Sequence, residues 1–169
     1  MDHQAIIDQL NQNKNNFHGT FNIIPKKEYL WKPSPGKWNL LEVACHLYDE
    51  EREDFRARLK HVLFHPEDPL PKINPEGWVK QRNYSEQNFE ETVEKFLKER
   101  ENSINWLNAI QSPKWKNEYQ HPKFGTLSAE MFLANWLAHD YLHIRQVAGI
   151  RYAYLKLTSG QDLRYAGEW

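Results

Sequence analysis

Two histidines one helical turn apart, His139 and His143, interrupt an apolar run at residues 126–150, TLSAEMFLANWLAHDYLHIRQVAGI. Phe132, Trp136, His139, His143, Val147 and Ile150 recur every three or four positions, so in a helix they line one seam. An i, i+4 pair has roughly 5–6 Å between its Cβ atoms, and two imidazoles at that spacing reach one metal ion. The same spacing also suits two core histidines with satisfied hydrogen bonds, so a metal reading needs a third ligand from elsewhere. His46, on the shoulder of an apolar stripe in the segment 40–63, is the candidate. Taken alone, a histidine at a helix edge is more often structural or solvated than a ligand. Three neutral imidazoles would leave a divalent ion an open position for water or substrate, as in catalytic rather than structural sites. Imidazole suits zinc, nickel, iron and copper alike, so the ligand set does not select the metal. Asp140, not Glu, follows His139, so the HExxH metalloprotease motif is absent.

Around these three stand weaker candidates. Glu50 lies one turn beyond His46 and is the expected acid/base. Asp49 is expected to face solvent. Asn135, one turn before His139, is placed to meet a ligand, and Arg145 reads as a surface cation. Cys45 is about 100° round the helix from His46 and reads as a small buried apolar residue.

Four helices must position these groups. Residues 2–17 carry Ile6, Ile7, Leu10 and Phe17 at helical spacing behind Asp2 as N-cap, although NQNKNN weakens the second half. Pro33, Pro35 and Gly36 make 31–39 a loop, pinned by Trp31 and Trp38. Asn39 with Glu42 then forms a capping-box variant opening helix 40–63. In that helix Leu40, Val43, Leu47, Phe55, Leu59 and Val62 are the apolar face, with Glu51, Arg52, Glu53, Arg56 and Lys60 solvated. A long Pro-rich crossover, 64–84, contains Trp78 and is expected to fold over apolar surface. Ser85 caps a third helix, 86–110, which reads as exposed and amphipathic with no chemistry on it. An extended connector turning at Pro122 and Gly125 leads to the fourth helix, with Thr126 as N-cap and an end near Leu157. No convincing strand is present. The expectation is one all-α domain over 1–169, a four-helix bundle with long crossover loops.

Composition narrows the function. Lys+Arg 22 against Asp+Glu 23 gives a net charge of −1, so no global field draws the chain to nucleic acid or an anionic membrane. No apolar stretch approaches the roughly 20 residues that span a bilayer. A single cysteine excludes an internal disulfide, and MDHQAIIDQL has no signal-peptide pattern, so a cytoplasmic protein is expected. Seven Trp in a 14% aromatic chain favour a bulky core or an aromatic-lined cavity and are compatible with a homodimer.

WKPSPGKWNLLEVACHLYDEE and HPKFGTLSAEMFLANWLAHDYLHIRQV, in this order and separation, resemble the DinB-like superfamily, and more closely its YfiT-like members. The resemblance spans Trp31 to about Ile150. It implies a four-helix bundle whose metal is held by one histidine of the second helix and an HxxxH pair of the fourth, here His46, His139 and His143. It further implies a metal-dependent enzyme, with zinc or nickel the expected ion, acting on a small molecule. Members include transferases that use bacillithiol, mycothiol or glutathione, a maleylpyruvate isomerase, and proteins labelled metal-dependent hydrolases. Cys45 is a departure, since close relatives often carry another histidine or an apolar residue before the ligand. A low-molecular-weight thiol of the bacillithiol type is thus the expected cosubstrate, in a stress-response setting. A bundle that binds a metal or small ligand without turnover is the alternative.

Overall fold

The computed structural model describes residues 1–167, so the last two residues of the expected 1–169 domain lie outside the described residues. Helix α1 (His3–Phe21) is followed by the single turn α2 (Lys26–Tyr29) and by α3 (Leu40–Asp49). A π-helical stretch, Glu50–Phe55, joins α3 without a break to α4 (Arg56–Phe64). Then come α5 (Pro75–Gln81), α6 (Phe89–Ala109), strands β1 (Glu118–His121) and β2 (Gly125–Ser128), and α7 (Ala129–Ser159). The four long elements are α1, the α3–α4 rod, α6 and α7, and they make the expected helical bundle.

The helix starts follow local capping chemistry. The Asp2 side chain accepts from the amide of Ala5, and the Asn39–Glu42 capping box is complete, each side chain bonding the other's backbone N–H. Two expected caps move by three and two residues. Asn88, not Ser85, accepts from the Glu91 amide at the start of α6. Ser128, not Thr126, accepts from the Met131 amide at the start of α7. Thr126 is displaced because the connector expected to be merely extended pairs with itself. β1 and β2 form an antiparallel hairpin with Tyr119 opposite Leu127, and the Thr126 hydroxyl donates to Gln120. EYQH and GTLS carry no clear alternation, so the pairing left little trace in the sequence. Gly125, at φ +72°, closes the turn, and Gly160, at φ +61°, ends α7 in the left-handed conformation.

The crossover also holds structure of its own. In α5, Trp78 is buried against Phe89, Leu41 and their neighbours, which confirms that the segment covers apolar surface.

The apolar core falls into two clusters. One contains Phe17, Phe21, Val43, Leu47, Phe96 and Val147. The other contains Leu10, Phe55, Leu59, Ile104, Leu133 and Trp136. On each long element a polar group sits between the two sets: Asn13 on α1, Glu50 and Glu51 on the π stretch, Arg100 on α6, and His139, Asp140 and His143 on α7. A buried polar layer therefore crosses the waist of the bundle.

Candidate metal centre

His46 sits in the last turn of α3, a helix packed against α6 on one side and α7 on another. His139 and His143 face it from consecutive turns of α7. The structure brings together the three histidines expected from the sequence. Nε2 of His139 lies 3.3 Å from Nε2 of His46 and 3.0 Å from Nε2 of His143. Nitrogens bound at about 2.0–2.1 Å to one tetrahedral zinc would lie about 3.3 Å apart, so this spacing fits three ligands around a single divalent ion.

Electrostatics favours the same reading. Burial, and then the charge of His143, brings the His46 imidazole down to about 3. His139 is held well below the ordinary value by burial, with His143, His46 and Arg100 adding to the effect. His143 is lowered by burial, with Gln146 and Asp140 opposing. All three rings are thus neutral at pH 7, the form in which imidazole ligates metals. Gln146 Oε1 lies 2.7 Å from Nδ1 of His143. That nitrogen donating to the amide oxygen leaves Nε2 as the lone-pair atom facing the trio.

The far side of His46 is less complete. Its Nδ1 and Oε1 of Glu50 are both buried, both lack a hydrogen-bond partner among the described residues, and lie 3.9 Å apart. Burial foremost, then the charge of Asp54 and a hydrogen bond to it, pushes the Glu50 carboxyl up to about 8, with Arg58 opposing. Glu50 is therefore largely protonated at neutral pH and approaches the ring from behind, at the nitrogen outside the trio. Aromatic rings close the walls: Trp38 lies 4.8 Å from His46, and Phe55 lies 4.8 Å from His139.

Other expected site residues are placed elsewhere. Asn135 is exposed and donates to the Met131 carbonyl, away from the trio. Arg145 is exposed, as expected of a surface cation. Cys45 is buried, and burial pushes its thiol up to about 12, consistent with an inert apolar role. Asp49 is corrected: far from facing solvent, it is 2% exposed and accepts from Arg52, Arg82 and the Tyr84 hydroxyl.

Glu51 is corrected likewise. It is not solvated but fully buried, and its carboxylate receives Nε and Nη2 of Arg100 at 2.9 and 2.8 Å. Trp136 Nε1 donates to the same carboxylate at 2.9 Å. Arg100 in turn donates to both oxygens of Asp140 at 2.7 Å and to the Leu10 carbonyl. Asn13 donates to Asp140. The third helix, read as free of chemistry, thus contributes the guanidinium that ties the π stretch after His46 to the residue after His139. One signal was available: Arg100 continues the stripe Phe96, Arg100, Ile104 at spacings of four.

The π stretch explains the placement of both glutamates. In an α-helix rows at i+4 drift by about 40° per step, whereas a wider turn with i→i+5 bonds takes in an additional residue and resets the phase. Leu47, Glu51, Phe55, Leu59 and Leu63 are accordingly all buried although each lies four residues from the last. The parallel row His46, Glu50, Asp54 and Arg58 carries the polar groups behind the metal candidate.

Comparison with known proteins agrees with this architecture. No curated protein matches the chain. Among solved structures it is similar to YfiT from Bacillus subtilis, described as a probable metal-dependent hydrolase with an unusual four-helix bundle topology. The two share 14% identity and a TM-score of 0.77, over 95% of this chain and 89% of that one, so the likeness establishes the fold. The sequence profile of the DinB superfamily matches residues 9–147, a span that includes all three histidines and the whole polar layer, and the chain belongs to that superfamily.

Proposed function

We propose that the chain is a metal-dependent enzyme that holds one divalent ion, zinc or nickel, on Nε2 of His46, His139 and His143. The observation that carries this reading is the convergence of three neutral imidazoles from α3 and α7 at ligand spacing. Such an ion supplies the Lewis acidity that deprotonates a thiol or a water at neutral pH. The protein's own groups supply the rest. Gln146 fixes the tautomer of His143, the protonated Glu50 carboxyl stands 3.9 Å behind Nδ1 of His46 as a proton store, and Trp38 and Phe55 limit the access of water. Glu50 is thus assigned the catalytic proton-handling role through His46 rather than by touching substrate.

The reaction we favour is transfer of a low-molecular-weight thiol, of the bacillithiol type, to a small electrophile. Support comes from the family resemblance. Hydrolysis is the second reading, favoured by the description of YfiT. No nucleic-acid or membrane partner is proposed; no helix among the described residues is long and apolar enough to cross a membrane.

Elemental analysis of the purified, untagged protein tests the centre. Near-stoichiometric zinc or nickel is expected in the wild type, with loss in both His46→Ala and His139→Ala. Protein that neither carries nor takes up metal would sink the enzyme reading. Loaded protein that turns over no thiol–electrophile pair and no ester or amide would favour a binding module.

A further inference from the structure

A second cavity lies round α3 from the metal candidate. It holds about 170 Å³, room for roughly five or six waters at their liquid volume. Cys45, Tyr48 and Asp49 of α3 form one wall, Arg52 of the π stretch another, and Thr92 and Lys95 of α6 a third. The end of the long crossover closes it with Arg82, Tyr84 and Gln87. Tyr48 and Cys45 point about 160° and 100° away from His46 around the helix, so α3 itself separates the two sites.

The wall is built and held, not merely lined. The Arg52 guanidinium lies over the Tyr48 ring and that of Arg82 over the Trp78 ring, each at 4.4 Å. Asp49 and Glu53 clamp both arginines at 2.6–2.9 Å, which fixes the guanidinium planes. Asp49, also bonded to Tyr84, has little capacity left. Arg52 does not: its Nε is buried and has no hydrogen-bond partner among the described residues. Lys95 finds only Glu91, at 3.7 Å and with both side chains more than half exposed, a pair worth little. Asp49 and Glu53 balance the two arginines, so Lys95 is the surplus cation of the lining. An orphaned buried donor beside a weakly paired ammonium calls for an acceptor.

We infer that this cavity, assembled by α3, α6 and the 64–84 crossover, binds a small carboxylate at Arg52 and Lys95, with Thr92 and Gln87 available to a second polar group. The site is separate from the metal centre and does not depend on it. It gives the crossover a role beyond covering the core, since Arg82 and Tyr84 come from its end and Gln87 follows just before α6. Asn83, at φ +47°, is the left-handed residue that turns the chain between two of them.

Calorimetric titration of the full-length protein with succinate, in chloride buffer and with inorganic phosphate as comparison, tests this. One-to-one saturation is expected, equal before and after chelator treatment, and weaker by about tenfold in Arg52→Gln and severalfold in Lys95→Gln. The exposed Lys95 variant should melt with the wild type, so its weakened binding would not reflect unfolding. The proposal fails if succinate does not saturate, or if neither substitution weakens it. It fails too if chelator abolishes binding, which would place the anion on the metal, or if phosphate binds as tightly as succinate, which would mark an adventitious anion only.

Discussion

The polar layer at the waist of the bundle has two halves that differ in how their hydrogen-bonding capacity is used. Around Arg100 every donor meets an acceptor: Glu51, Asp140 and the Leu10 carbonyl take its hydrogens, while Trp136 and Asn13 complete the carboxylates. A few ångströms along α7, three imidazole nitrogens are aimed at one another, and His46 Nδ1 and Glu50 Oε1 have no hydrogen-bond partner among the described residues. Both halves are buried and both use side chains that are costly to desolvate. A closed network of this kind fixes the spacing of helices. An open one, with neutral lone pairs gathered on a single point, is suited to a cation. Burial alone would not have told the two apart.

Removing Arg100 presses hardest on this contrast. Arg100→Met leaves two buried carboxylates unpaired, so it is expected to cost about 3–5 kcal/mol of stability, read as a lower midpoint in denaturant. Arg100→Met combined with Glu51→Gln and Asp140→Asn should recover part of that loss. Equal midpoints for wild type and single variant would show that the network is not what holds the layer.

The pH dependence of the metal-free protein probes the open half. The three imidazoles are depressed in the folded state, so their contribution to stability is complete above about pH 6.5 and declines as pH falls below it. Glu50, raised to about 8, acts in the opposite sense, because its folded form keeps a proton that the unfolded form releases above about 4.5. As pH falls below about 6.5 the unfolded histidines bind protons that the folded ones refuse, and Glu50 offsets part of this. The net expectation is a loss of stability toward acid, measured by denaturation at several pH values. A flat profile would mean that the trio already titrates normally when folded.

Glu50→Gln is the mildest intervention. It keeps the shape behind His46 and removes the exchangeable proton, so metal affinity should fall by about tenfold, the lower edge for groups behind a ligand. A competition titration with a chromophoric chelator reads this directly. Unchanged affinity would reduce Glu50 to packing.

Much of the open half could be read from the sequence, and almost none of the closed half. His139 and His143 declare themselves by their spacing within an apolar seam, and the capping box at Asn39 dates the start of α3 well enough to place His46. Arg100 was hidden because ERENS looks like any charged helix surface, and the eye discounts a cation even when it keeps the rhythm of Phe96 and Ile104. Glu51 and Asp49 were hidden for other reasons. The inward direction of Glu51 depends on the π stretch, a backbone event that a 3.6-residue period cannot anticipate. Asp49, still in α3, is covered instead by Arg82 and Tyr84 from the crossover. The Asn-rich patch misled in the same way, since weak helix propensity at Asn13 is overridden by its bond to Asp140.

The π stretch also has a consequence for how this chain tolerates change in length. One additional residue absorbed between Glu50 and Phe55 sets the rotation of the His46 segment apart from that of α4, whose Leu59, Val62 and Leu63 lock into the lower core. Gain or loss of a single residue there would turn the ligand-bearing half like a dial while the other half stays seated. The position of the proposed ligand His46 can then be adjusted over generations by insertion and deletion, at a point where most helices would lose their core instead.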